Sequence, residues 1–386
     1  MKHKIVYLAC DDSQVLINRS TEILDNFLGK GNYSFEETSH FLFIASGGSE
    51  QHALKLSQEL DNFILLCHRE SNSFAAAMEI AAYLRDSGKN VALINIAATG
   101  ALQDFKMLTQ VVKAVESLKG QRAALLGEVS EWLIISAIEA SLIKSKLGVD
   151  LLHIPWQSVD SYQDKEVSQA FLSHFPKHDQ QNLQHTARVY SLLEEIINTH
   201  KLNALSVECF SIVKKDQVTA CLPLAVLNSK KTVAACEGDI CSMIGKMLIK
   251  SITDSTPWQA NIAEIENDTI LFAHCTAPLN MLESFEVTTH FETGVGTAIQ
   301  GKISNQQLAA FRIDHKLEKF MLIQGELVDA PQRSFACRTQ ITLKTTAKDA
   351  KLLKNKSLGN HHLILPAKYI PVLEHLMEFL QIEKIQ

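Results

Sequence analysis

Short apolar, β-branched runs alternate with longer stretches of helical periodicity through the first 155 residues of the chain, and this alternation constrains the fold most. The apolar runs fall at 5–9, 41–45, 63–67, 91–96, 123–127 and 151–154, and the helical patterns between them at 14–28, 50–60, 73–87, 105–118 and 131–146. The runs are apolar at consecutive positions rather than at every second one. A strand of that kind is buried on both faces, as in a parallel sheet covered by helices on each side. Alternating β and α elements of these lengths predict a doubly wound α/β region. In such a fold the loops at the carboxyl ends of the strands carry function, because helix N-termini and free backbone groups converge there.

The texture then changes twice. Residues 157–201 carry no strand signal and hold polar, histidine-bearing helical patterns such as 179–200, which reads as a helical bridge. A second α/β unit follows, with strands at 205–210 and 232–236 and a helix over 239–251. Beyond Pro257 the runs at 269–274, 285–290, 298–303, 308–313, 320–324 and 339–343 alternate and are separated by turns. This is the pattern of an antiparallel sheet or barrel. An amphipathic helix over 369–380 closes the chain. The expected domains are therefore an N-terminal doubly wound α/β domain (1–156), a bridge with a second α/β unit (157–256), and a C-terminal β-rich, barrel-like domain (257–386).

A chain of 386 residues with 46% hydrophobic residues buries a core large enough to fold without disulfides. The eight cysteines form no CxxC pair and mostly sit inside apolar runs, so they read as reduced core residues of a cytoplasmic protein. With 37 basic and 43 acidic residues and a net charge of −6, neither nucleic acid nor a membrane surface is an expected partner. No apolar stretch reaches the ~18 residues of a membrane span. The N-terminal MKHKIVYLACDDSQ has a basic start, but Asp11 and Asp12 cut its apolar run short, so it reads as a first strand rather than a secretory signal.

Four clusters carry titratable groups at element ends, and each also has a purely structural reading. In Cys236-Glu237-Gly238-Asp239, between an apolar strand and a helix, two carboxylates face the strand end. Asp239 equally suits a helix N-cap. His274 ends the run 269–273, a common position for ligation or acid–base work and also for a hydrogen-bonded structural histidine. His361 and His362 follow Gly359-Asn360 and precede an apolar run. Adjacent residues of an extended strand point to opposite faces, so one of the two enters a given site. His290 and Glu292 sit in THFETGVG (289–296), either a surface hairpin or a polar pocket rim. Carboxylate and imidazole donors converging from these segments would suit a divalent transition-metal ion such as Mn²⁺.

The motifs CEGD (236–239), HCTAP (274–278), THFETGVG (289–296), CRTQ (337–340) and GNHH (359–362) make the stretch from about 205 to 364 resemble the carboxyl-terminal region of the L-fucose isomerase and L-arabinose isomerase superfamily. GGSE (47–50), ESNSFAAAMEI (70–80) and GEVSEWLI (127–134) are softer echoes in the N-terminal half. The similarity is to the shorter fucose-isomerase-like proteins rather than to the longer sugar isomerases.

The resemblance implies aldose–ketose isomerisation of a monosaccharide at a Mn²⁺ site, in a homo-oligomer whose assembly completes the site. It implies Glu237 as ligand and base with Asp239 beside it, and His274 with His361 or His362 as ligands. Glu50, Asn72, Trp132, His290 and Glu292 would be sugar contacts. The family's second metal carboxylate aligns at or near Asn261, where an amide can ligate but carries no charge. Loss of that charge weakens hard-cation binding, and it opens the alternative of a non-catalytic carbohydrate-binding or regulatory protein on the same scaffold. The phosphate-loop pattern GxxxxGK[ST] is absent.

Overall fold

The computed structural model describes residues 2–386, which form two compact units, 2–116 with Glu374–Gln381, and Ser117–Leu373 with Ile382–Gln386. The first unit is built on strands β1 (His3–Leu8), β2 (Tyr33–Phe35), β3 (Phe41–Ile44), β4 (Asn62–Cys67) and β5 (Asn90–Asn95). All pair in parallel, in the order β2-β1-β3-β4-β5. Helices α1 (Gln14–Leu28), α2 (Glu50–Leu56) and α3 (Ser73–Asp86) lie between them in the chain, and α4 (Ala101–Leu118) follows β5. The interior strand β4 is buried at every position, as its unbroken apolar run requires. The edge strand β2 is only three residues long and carries no sequence signal.

The second unit begins with another parallel sheet. Its strands are β6 (Arg122–Leu126), β7 (Asp150–Ile154), β8 (Ala204–Val207) and β9 (Val233–Cys236), in the order β7-β6-β8-β9. Helices α5 (Ala140–Leu147), α6 (Gln169–Leu172), α7 (Gln184–His200), α8 (Phe210–Asp216), α9 (Cys221–Ser229) and α10 (Ile240–Thr253) accompany it. Almost every residue of α10 is buried, consistent with a helix enclosed on all sides.

The antiparallel part holds β10 (Trp258–Glu266), β11 (Thr269–His274), the hairpin β12 (Leu282–Thr288) and β13 (Ala298–Ile303), β14 (Gln307–Ile313), β15 (Lys319–Asp329), β16 (Thr339–Lys344) and β17 (His361–Pro366). α11 (Ala347–Lys356) precedes β17, and α12 (Ile370–Phe379) and β18 (Glu383–Lys384) follow it. Strands run β14-β17-β10-β11-β16-β15, and β15 pairs back with β14, so six strands close into an antiparallel barrel. Trp258, Ala260, Ile270, Phe272, Met321, Ile341 and Ile364 fill its interior. On the other face of β11, Leu271 and Ala273 join the core of the β6–β9 sheet. The fold is thus α/β with two parallel sheets and a C-terminal antiparallel barrel, the class expected from the alternation and its break after Pro257. Among the described residues no helix is long and apolar enough to cross a membrane.

One expected element is largely replaced. The pattern at 131–146 predicts a helix, yet only Ala140–Leu147 is helical and residues 128–139 run irregularly. Their backbone groups bond across the fold instead. The Ser130 N–H donates to Glu237 O, and the N–H groups of Ile240 and Cys241 donate to Ser136 O. Tertiary partners have taken bonds that a helix would have made locally.

Candidate functional site

The site is assembled at the carboxyl end of β9. Cys236 ends the strand, and Glu237 and Gly238 then take left-handed backbone angles, φ 65° and 70°. A Cβ at Gly238 would collide with the Glu128 carbonyl oxygen and stand 2.9 Å from Val129 Cα, so only glycine fits there. Glu237 has no such excuse, and its left-handed conformation costs about 1–2 kcal/mol. Such a torsion persists only where the surrounding contacts hold it. Asp239 then caps α10, its Oδ1 accepting from the Ser242 N–H at 2.7 Å and its Oδ2 from the Ser242 hydroxyl at 2.8 Å.

Two barrel strands deliver histidines to this turn. In the register of β10, Asn261 lies opposite both Ala273 of β11 and His361 of β17. His274 is the last residue of β11, one past Ala273, and its ring stands 5.4 Å from that of His361. Glu237 Oε1 lies 3.6 Å from both His274 Nε2 and His361 Nε2. Glu237 Oε2 instead accepts a 2.6 Å hydrogen bond from the Trp132 indole N–H. Both imidazole Nε2 atoms are buried and have no hydrogen-bond partner. Buried polar nitrogens without partners are rare, and each calls for an explanation.

A second layer orients His361. Its Nδ1 lies 2.8 Å from Asp239 Oδ2. A hydrogen bond there turns Nε2 toward Glu237, the arrangement by which carboxylates set the ring orientation of ligating histidines. The buried Arg312 guanidinium ties the layer together. It donates to His361 O at 2.7 Å and Ser136 Oγ at 2.9 Å, and lies 3.7 Å from Asp239 Oδ2. Gln259, on the same strand face as Asn261, accepts from the Cys236 N–H at 3.0 Å.

The electrostatics follow from these contacts. Burial raises the Glu237 carboxyl, but the adjoining His361 and His274 rings outweigh it and hold it well below the usual carboxylate range. Burial likewise opposes ionisation of Asp239, yet His361 and Arg312 keep it low. Burial would lower His361, but Glu237 and Asp239 push it up to about 9. For His274 burial prevails over the pull of Glu237, and the ring is lowered. Without an added cation the cluster therefore holds its negative charge on Glu237 and Asp239 against one imidazolium and Arg312.

Of the residues singled out from sequence, Glu237, His274, His361 and Trp132 meet directly, with Asp239 behind them. His290 joins through aromatic edges: its ring stands 5.6 Å from that of Phe210, which in turn lies 4.7 Å from Trp132. Glu292 lies on the exposed turn that follows. His362 belongs to the opposite strand face, 6.1 Å from the Phe272 ring, with its pKa lowered to about 3 by burial and Arg312. The Asn261 side chain is engaged elsewhere, accepting from Asn360 Nδ2 at 2.6 Å and approaching Cys337 Sγ at 3.9 Å. Glu50 and Asn72 belong to the first unit, where Glu50 opens α2 and Asn72 precedes α3 in a left-handed conformation.

Cys236 is the functional candidate that sequence reasoning passed over, having read it as a core thiol. Its Sγ, a Glu237 carboxylate oxygen and a His274 ring nitrogen all lie within 4.8 Å of one another, a grouping able to hold a metal ion. Arg312 and Gln259 were also missed, and no spacing rule would have found them.

No protein-family model matches the sequence. A curated relative, the sulfoquinovose isomerase of Alkalicoccus urumqiensis, is 26% identical over 177 residues, 43% of this chain and 40% of that protein. The chain is distantly related to a sugar isomerase. The match spans well under half the length of that relative.

Proposed function

We propose that the chain is an aldose–ketose isomerase of the kind its L-fucose-isomerase-like motifs imply, moving a proton between adjacent carbons of a monosaccharide through an ene-diol. One observation carries the reading: two buried imidazole nitrogens without hydrogen-bond partners converge on a single oxygen of an ionised glutamate. Orphaned nitrogens beside a carboxylate suit a divalent cation, which Glu237, His274 and His361 would hold, Mn²⁺ being the ion that the resemblance implies. When bound, such a cation polarises a neighbouring carbonyl and hydroxyl and stabilises charge on the ene-diolate.

The remaining work falls to side chains. Glu237, ionised at neutral pH, takes the proton from one carbon and returns it to the next. Trp132 holds the second carboxylate oxygen and so fixes the direction of the first. Asp239 and Arg312 fix the His361 ring and its strand. The half-exposed Trp132, with Phe210 and the buried His290, offers an apolar wall for the C–H face of a sugar.

A carbohydrate-binding protein without turnover is the second reading, favoured by the amide at Asn261 where the resemblance calls for a carboxylate. The two separate in one experiment. Chelator-stripped protein is titrated with Mn²⁺ by calorimetry, then assayed for ketose formation over a panel of aldoses. The isomerase reading expects binding and turnover, both abolished in Glu237→Gln. Bound metal with no ketose from any aldose supports the binder, and full activity in Glu237→Gln refutes the role given to that residue.

A further inference from the structure

The donor set around Glu237 points to a particular class of cation. In an extended strand, residues 236 and 237 would project to opposite faces. The left-handed turn at Glu237 cancels that divergence, so that consecutive side chains present a sulfur and a carboxylate oxygen together with His274, all within 4.8 Å. The Nε2 atoms of His274 and His361 have no hydrogen-bond partner, and each lies 3.6 Å from Glu237 Oε1. Hard donors are scarce by comparison. Both Asp239 oxygens are engaged by Ser242 and His361, and the Asn261 oxygen by Asn360. One carboxylate oxygen is left, grouped with one thiol and the His274 imidazole, and His361 Nε2 lies 3.6 Å from that oxygen.

We infer that Cys236 is a metal ligand and that the site takes a borderline-soft divalent cation of the Zn²⁺ or Co²⁺ class in preference to Mn²⁺. This rests on the metal-dependent reading above and specifies its ion. Thiolate and imidazole donors suit zinc and its neighbours, whereas manganese and magnesium are held best by carboxylate, carbonyl and water. Binding exchanges the Cys236 S–H bond for an S–metal bond, and the proton leaves to solvent. A second thiol stands close by, with Cys209 Sγ 3.6 Å from Cys236 Sγ, and serves as the internal control.

The test uses the full-length chain, stripped of metal and titrated with Co²⁺ while its absorption is recorded. The expected result is an intense near-ultraviolet thiolate-to-cobalt charge-transfer band that is lost in Cys236→Ser and Cys236→Ala and kept in Cys209→Ser. Zn²⁺ then abolishes the band at stoichiometric addition, and Mn²⁺ displaces Co²⁺ only at more than about tenfold excess. Cobalt bound without the band, a band that survives both Cys236 substitutions, or displacement by equimolar Mn²⁺ each overturns the inference while leaving the isomerase reading intact. Failure of all three cations to bind overturns both. The wild-type spectrum decides the first point even if neither Cys236 variant folds.

Discussion

Lys246 offers the sharpest energetic test of how this unit is built. It lies on α10, buried at 2% exposure, with its Nζ donating to Ala234 O at 2.9 Å and 3.5 Å from Asn228 Oδ1. Those partners are neutral, and burial lowers its pKa from 10.5 to about 7, with Cys236 and Asp239 opposing the fall. At pH below 7 both folded and unfolded chains carry the proton, and stability does not depend on pH through this group. Between 7 and 10.5 the unfolded chain binds one proton more, so stability rises with pH, by about 1.4 kcal/mol per unit. Over the whole interval the gain is about 5 kcal/mol, of which about 2 kcal/mol appears between pH 7 and 8.5.

Lys246→Met removes the titration while keeping most of the volume. Other groups titrate in the same range: the buried cysteine thiols, raised by burial, lose stability above their unfolded pKa in both proteins and cancel in the difference. Urea unfolding of both proteins at half-unit steps from pH 6 to 8.5 gives the comparison. The stability of wild type minus variant should be flat to pH 7 and then climb by about 2 kcal/mol by pH 8.5. A difference constant across that range would mean that Lys246 keeps its charge in the fold, and the reasoning from burial would fail.

Three further outcomes follow from the site. Trp132→Phe keeps the aromatic contact with Phe210 but deletes the donor to Glu237 Oε2, a charge-assisted bond whose loss is expected to lower kcat about tenfold in the ketose assay. Gly238→Ala places a Cβ against the Glu128 carbonyl in a left-handed position and should destabilise by more than about 2 kcal/mol in urea titration, with the far-ultraviolet spectrum unchanged. Asn261→Asp adds the carboxylate that the resemblance calls for and should tighten Mn²⁺ binding about tenfold by calorimetry. Unchanged affinity in that variant places Asn261 outside the metal's reach.

How far the molecule could be read from its sequence depended on where each residue finds its partners. β3 and β4 were legible because burial on both faces leaves an unbroken apolar run, a property of the strand itself. The irregular 128–139 segment was not, because its apolar spacing is helical while its hydrogen bonds go to residues 237, 240 and 241. The choice between His361 and His362 shows the same boundary. Strand alternation says that the two rings diverge, but only the pairing of Asn261 with both His361 and Ala273 says which ring shares a face with the turn after β9. Arg312 lies still further from any local signal, since it acts on a backbone carbonyl and a carboxylate brought from separate elements. The positive φ of Glu237 is the last such case: nothing in CEGD requires a glutamate to be left-handed. Yet that one torsion sets Cys236 and Glu237 side by side, so the chemistry of the site depends on a conformational cost that the surrounding Ser130, Val207 and Ser136 backbone bonds hold in place.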